Sequence, residues 1–219
     1  MSPATLRLWQ LISPTLPVGA YSYSQALEYV IERGTVRGEA TALAWMRELL
    51  HRGLAALDLP MLLRVHRAWT RGDGAAVVRL SRELEARRDT AELRFEDMAM
   101  GGALTQLLAN LGERLPAGAP RLPFACAFAV ACANWRIAED DASAGFAWAW
   151  CESQVAAAVK LVPLGHTAGQ RLLLALGAEI GAAVAKAAAL EDDEIGTTLP
   201  GLAIASALHE TQYTRLFRS

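Results

Sequence analysis

Apolar positions along this chain recur at intervals of three and four residues, the spacing of a helix with one buried face. Between Ser24 and Arg33, the stripe Leu27, Val30 and Ile31 followed by Gly34 predicts a short helix with Gln25, Glu28 and Glu32 on its outward face. Leu43, Met46 and Leu50 predict a second helix over residues 40–53, closed by Gly53. Asp58 with Pro60 has the form of a fresh start, continued by Leu63, Val65, His66 and Trp69. Beyond the turn at Arg71 to Gly74, residues 75–88 and 90–111 read as helices with charged outer faces.

Three prolines between Pro116 and Pro123 break the pattern and mark a linker. The next segment fits two periods. Phe124, Cys126, Phe128, Val130 and Cys132 alternate as in a strand, while Phe124, Phe128 and Cys132 also stack at helical spacing. Alanine at the intervening positions favours the helix, and the same ambiguity returns at Phe146, Trp148 and Trp150. Asp140 or Asp141 can open a helix toward Val162. Thr167 with Gln170 has the form of a capping box for a long helix reaching Leu190, and Ser22 with Gln25 has that form near the N-terminus. An acidic turn at Asp192 to Glu194 and a last helix from Pro200 to His209 complete the series.

Composition supports this reading. Ala and Leu fill 76 of 219 positions against 17 for Val and Ile, a bias toward residues that lose little rotamer freedom in a helix. The expected fold is all-α, a single-domain multi-helix bundle spanning 1–219. With a net charge of −2 and Arg scattered along the chain, there is no field for gripping nucleic acid or an anionic membrane. Leu122 to Trp135, an uncharged and largely apolar run, is shorter than the roughly 20 residues that a spanning helix needs. Neither a membrane span nor a leader is expected, and the chain is placed in the cytoplasm. Cys126, Cys132 and Cys151 match no zinc spacing and read as buried thiols.

Catalytic signals are sparse. Phosphate-binding glycine loops and a nucleophile elbow are missing from the sequence. His209-Glu210 begins an H-E-x-x sequence, but Tyr213 stands where the second histidine of a zinc helix belongs, so a metal-assisted hydrolase lacks ligands. No catalytic residue, metal ligand or cofactor is assigned. A helical carrier whose Trp135, Trp148 and Trp150 line a pocket for an apolar small ligand is a rival binding class.

The two ends are the unusual parts. Leu11 to Gln25 carries two prolines, a glycine and the run Tyr21-Ser-Tyr-Ser-Gln25, readable as a hydrophobic clasp on the core or as a contact surface. Glu210 to Ser219 carries Tyr213, Leu216 and Phe217 among arginines, the composition of an interface anchor or of a segment folded back on its own domain.

With both ends in view, the chain resembles the urease accessory protein UreF family over essentially its whole length. Leu11 to Glu28 is similar to the pattern L-x-L-x-S-P-x-L-P-V-G-x-Y-S-Y-S-Q-x-L-E, and His209 to Ser219 to H-E-T-Q-Y-x-R-L-F-R-S. Asp58 with Pro60, the block Thr90-x-Glu92-Leu93-Arg94-x-Glu96 before Gly101, and Val159 to Gly165 also look like family blocks. His166 stands where relatives commonly have Gln, and Ala26 where many have Gly.

The resemblance implies an all-α, non-enzymatic homodimer that bridges UreD (also called UreH) and the GTPase UreG on apo-urease and modulates GTP-dependent nickel incorporation. It implies UreG-facing candidates at Tyr21, Ser24, Gln25, Glu28 and Lys160, and UreD-facing candidates at Tyr213, Arg215, Leu216, Phe217 and Arg218 in a docking tail of residues 210–219.

Overall fold

The computed structural model describes residues 2–118, 121–196 and 199–219, and among them there is no strand. The order is α1 (Pro3–Leu11), α2 (Leu27–Glu32), α3 (Glu39–Glu48), α4 (Asp58–Thr70), α5 (Gly74–Ala86), α6 (Ala91–Asn110), α7 (Phe124–Asn134), α8 (Glu139–Leu161), α9 (His166–Ala189) and α10 (Pro200–His209).

The ambiguous segment is the central helix. Every residue of α7 from Ala125 to Cys132 is buried, because α4, α6 and α8 surround it. Burial on all sides erases the one-sided stripe that distinguishes a helix from a strand. Its first turn is capped from outside: Asp97 Oδ1 on α6 accepts the Phe124 N–H at 2.8 Å. Close approach of α6 depends on Gly101, since a Cβ there would sit 2.0 Å from the carbonyl oxygen of Leu122. Phe124, Phe128 and Phe146 stack with centroids 5.3–6.2 Å apart and join α7 to α8.

The long helices α8 and α9 form a hairpin across Val162–Gly165, and α3 packs beside α9. Arg171 pairs with Glu39 on α3, and Glu179 with Arg47 and His51. Following α3, Leu49–Leu54 widens into a π-turn, where the His51 carbonyl accepts from Lys186 Nζ at 2.8 Å. Among the described residues, α9 is the one helix long and apolar enough to cross a membrane by length and composition. Arg171, Glu179 and Lys186 interrupt it, so a search for uncharged runs passes over it. Here it buries Leu172, Leu176, Ile180, Ala183 and Ala187 against its neighbours.

Several expectations need correction. Helix α1 has no counterpart in the sequence reading, although Ser2 caps it by accepting the Thr5 N–H and Pro3 stands at its first position. The helix expected from Ser24 begins at Leu27, because Gln25 and Ala26 adopt left-handed backbone with φ of 52° and 62°. Ser22 lies in the 3₁₀ turn Ala20–Ser22 and forms no capping box with Gln25. Thr167 is likewise not a cap: α9 starts at His166, which is exposed, after Gly165. In the expected linker, Ala119 and Pro120 lie outside the described residues, while Pro116, Leu122 and Pro123 are buried. The three cysteines are buried thiols, and desolvation pushes all three upward, Cys126 and Cys151 to about 12.

Candidate functional site: an interlock of the two chain ends

The N-terminal segment and the tail meet on one side of the bundle. Two consecutive left-handed residues, Gln25 and Ala26, turn the chain into α2 and set Glu28 on its first turn. Left-handed backbone is unstrained for glycine, so Ala26 holds a conformation that its own Cβ disfavours. Glu28 does not face outward. It is only 8% exposed, and its carboxylate accepts the Leu216 N–H at 2.7 Å and the Phe217 N–H at 2.9 Å.

Neighbouring groups extend the interlock in both directions. The Ser219 backbone oxygen accepts from the Ser24 N–H at 2.9 Å and the Ser24 hydroxyl at 2.6 Å, and the Arg218 N–H donates to Ser22 O at 2.8 Å. From α6, Glu96 accepts the Ser219 hydroxyl at 2.6 Å and Gln25 Nε2 at 2.8 Å. Gln25 Oε1 in turn accepts Trp150 Nε1 from α8 at 2.8 Å. One turn before Glu96, Glu92 accepts Arg215 Nη1 at 2.7 Å and lies 2.8 Å from His209 Nδ1. The fully buried His209 ring reaches Glu28 with its other nitrogen at 3.4 Å. Helix α6 is itself fixed at its start, where Thr90 caps Leu93 N–H and meets the Ser206 hydroxyl of α10 at 2.8 Å.

Electrostatics beneath the interlock are set by burial. Desolvation pushes the Glu96 carboxyl up to about 7, against the hydrogen bonds from Ser219 and Gln25. Beside it, Arg88 lies between Asp58 and Asp97 at 2.5 and 2.9 Å. Burial opposes the charge on Arg88, but the two carboxylates outweigh burial and hold its pKa above the ordinary range. Asp97 is raised by burial despite that guanidinium.

The candidates named from sequence therefore separate into two groups. Ser24, Glu28 and Phe217 are buried, and Gln25 is half-buried, so all four hold the interlock from within. Tyr21, Lys160, Tyr213, Arg215, Leu216 and Arg218 are exposed, and Lys160 Nζ lies 5.7 Å from the Phe217 ring centroid. Placing Gln25 and Glu28 on an outward helix face is corrected: α2 starts after Gln25, and α10 with the tail covers Glu28. Sequence reasoning missed Glu92, Glu96 and His209 as holders of the tail. Its available signal was the i, i+4 pair Glu92 and Glu96, which puts both carboxylates on one face of α6.

The carboxylates of Glu28, Glu92 and Glu96 all accept from groups of this chain. His209 faces two of them and Glu210 is exposed, and the described residues contain no group of three or more His, Cys, Asp or Glu set to hold a metal ion. The three tryptophans of the carrier reading do not share a pocket. Trp135 bonds Glu113, Trp148 abuts Gly177 on α9, and Trp150 alone of the three lines the cavity bounded by Leu11, Leu16 and Met100.

The fold and this site define an all-helical protein whose two terminal segments are locked together over α6. The UreF family model matches residues 36–177, the part of the chain that carries α3 to α8 and half of α9. The urease accessory protein UreF of Alkalilimnicola ehrlichii is 52% identical over 99% of this chain and 96% of its own. That of Azoarcus sp. is 50% identical over 98% and 95%, and UreF 2 of Brucella anthropi is 48% identical over 100% and 98%. The chain belongs to the UreF family.

Proposed function

We propose that the chain is a non-catalytic adaptor in urease maturation, which bridges UreD and the GTPase UreG on apo-urease and modulates GTP-dependent nickel incorporation. The names of its relatives support the role in urease maturation. The observation that carries the adaptor reading is the pair of hydrogen bonds from Leu216 and Phe217 to Glu28, which makes one surface of the two ends. Contacts to UreD fall to Tyr213, Arg215, Leu216 and Arg218 on the tail, with Phe217 as their buried root. Contacts to UreG fall to Tyr21, Gln25 and Lys160, with Ser24 and Glu28 beneath them.

An adaptor alters a partner's nucleotide cycle only by binding two of its states with different free energies. Adjacent contact sets allow one partner to bias the other through the shared interlock, without chemistry on this chain. Self-association into a homodimer belongs to the same proposal. The deciding experiment is co-purification of the full chain with UreD and with UreG loaded with GDP or GTP. Tyr213→Ala with Leu216→Ser is expected to lose UreD, and Tyr21→Ala with Lys160→Ala to lose UreG. Retention of both partners by both variants refutes the proposal.

A further inference from the structure

His209 is the last residue of α10, and its ring is fully buried between two carboxylates. Nδ1 lies 2.8 Å from Glu92 Oε2 on α6, and Nε2 lies 3.4 Å from Glu28 Oε2 on α2. A neutral imidazole carries a hydrogen on one nitrogen only, whereas the imidazolium donates from both. In the neutral form one nitrogen therefore turns a lone pair toward a carboxylate oxygen, and a ring with no exposed surface has no bulk water to relieve it.

Charge in the surroundings favours the same form. Glu28 is buried and Glu92 nearly so, and among the described residues Arg215 is the one cation besides His209 that pairs with either, at Glu92. Glu96, one turn further along α6, adds no negative charge below about pH 7, because burial keeps its carboxyl protonated. Lys160 of α8 lies at the Phe217 ring, and Glu32, Arg33, Arg94, Glu210 and Arg218 are exposed. A positive charge on His209 balances the second carboxylate, and it falls in the last turn of a helix, where the backbone dipole also favours a cation.

The carboxylates that hold His209 also hold the tail. Glu28 Oε2 accepts the Phe217 N–H as well, and Glu92 accepts Arg215 through its other oxygen. Imidazole changes charge between pH 5 and 8. A ring that loses its second hydrogen opposes a lone pair to the group on which the tail hangs, so docking of the tail weakens as pH rises.

We propose that His209 is a pH-responsive latch: protonated, it bridges Glu28 and Glu92 and fastens the tail over α6, and on losing that proton it loosens the tail. The latch depends on the interlock alone, while its effect on a partner, through the placing of Tyr213 and Leu216, rests on the adaptor reading.

The test uses the full chain without a partner, so its outcome is separate from that reading, and it uses Glu96→Gln to remove the other group that titrates beneath the tail. Nitrogen NMR at pH 5.5 is expected to show a hydrogen on both ring nitrogens of His209. Hydrogen-exchange protection of Leu216 and Phe217, corrected for the intrinsic effect of pH, should fall by about tenfold or more between pH 5.5 and pH 8.5. Adding His209→Gln, which has no proton to lose in this range, should flatten that fall. A bare ring nitrogen at pH 5.5, protection that is independent of pH, or an equal fall after His209→Gln overturns the proposal. Should the His209 variant fail to fold, one titration of the Glu96→Gln protein decides: the ring signals and the tail protection should change at a common midpoint, and separate midpoints overturn the latch.

Discussion

Glu28 Oε2 accepts the backbone N–H of Phe217 at 2.9 Å, a bond between residues 189 positions apart in the chain. Its second oxygen accepts the N–H of Leu216. The side chain at the start of α2 thus satisfies the backbone of a segment that has no helix or sheet to do so. The tail is thereby tied to α2, and through Glu92 and Glu96 to α6 as well.

Glu28→Gln should loosen the tail without unfolding the bundle. The amide keeps one acceptor oxygen, so one of two backbone N–H groups faces an NH₂, at a cost of about 1–3 kcal/mol. Hydrogen exchange at Leu216 and Phe217 should quicken, and protease cleavage within residues 211–219 should increase. Amide protection equal to that of the parent would mean that the bonds to Glu28 carry little of the tail's stability.

Exposed and buried members of the tail should behave differently. Tyr213→Ala with Leu216→Ser removes exposed side chains, so the expected stability change is within about 0.5 kcal/mol. Phe217→Ala, by contrast, removes a side chain that is 5% exposed and should cost about 3 kcal/mol or more. Urea unfolding midpoints measured beside UreD co-purification separate the two classes: the first pair should lose the partner at unchanged midpoint.

Helix existence was legible in the chain where a start signal and apolar spacing fell in one segment, as in α4, which opens at Asp58 with Pro60 and buries Leu63, Val65, His66 and Trp69. Where tertiary contact replaced a local signal the reading rested on less, as for α7, read as a helix from its alanines alone, or it failed, as at Gln25 and Ala26. Helix α7 takes its cap from Asp97, 27 residues upstream, and is buried on every side, so neither cap nor stripe is visible in its own sequence. The left-handed pair Gln25 and Ala26 carries no glycine to announce it, which shifted the expected start of α2 and with it the direction of Glu28. The family blocks were readable as blocks, but that Glu92 and Glu96 hold residues of the closing motif is a property of the fold.

Arg88 is the next residue to test. Arg88→Met leaves Asp58 and Asp97 buried without their shared cation, and the expected loss is about 3–5 kcal/mol. Adding Asp58→Asn and Asp97→Asn should recover part of it, because neutral amides need no counter-charge and the amide oxygen introduced at position 97 can still accept the Phe124 N–H. Denaturant midpoints of the single and triple variants check this. A single variant as stable as the parent would show that the triad is not a net electrostatic requirement of the fold.

Glu96 gives the interlock a pH dependence with a definite sign. Its folded pKa of about 7 stands above the ordinary 4.5, first because of burial and in spite of the Ser219 and Gln25 hydrogen bonds. Between those two values the unfolded chain has released the proton while the folded chain keeps it, so stability falls as pH rises through the window and levels off above it. A rise of this size corresponds to about 3 kcal/mol. Asp97, also raised, contributes in the same direction in both parent and variant. Glu96→Gln has nothing to ionise, and its amide can accept from Gln25 and donate to the Ser219 hydroxyl, the two groups that Glu96 meets. The variant should match the parent near pH 4, surpass it at pH 8, and show a shallower decline between, read from urea unfolding across the range. Parallel curves for the two proteins would place the titration elsewhere.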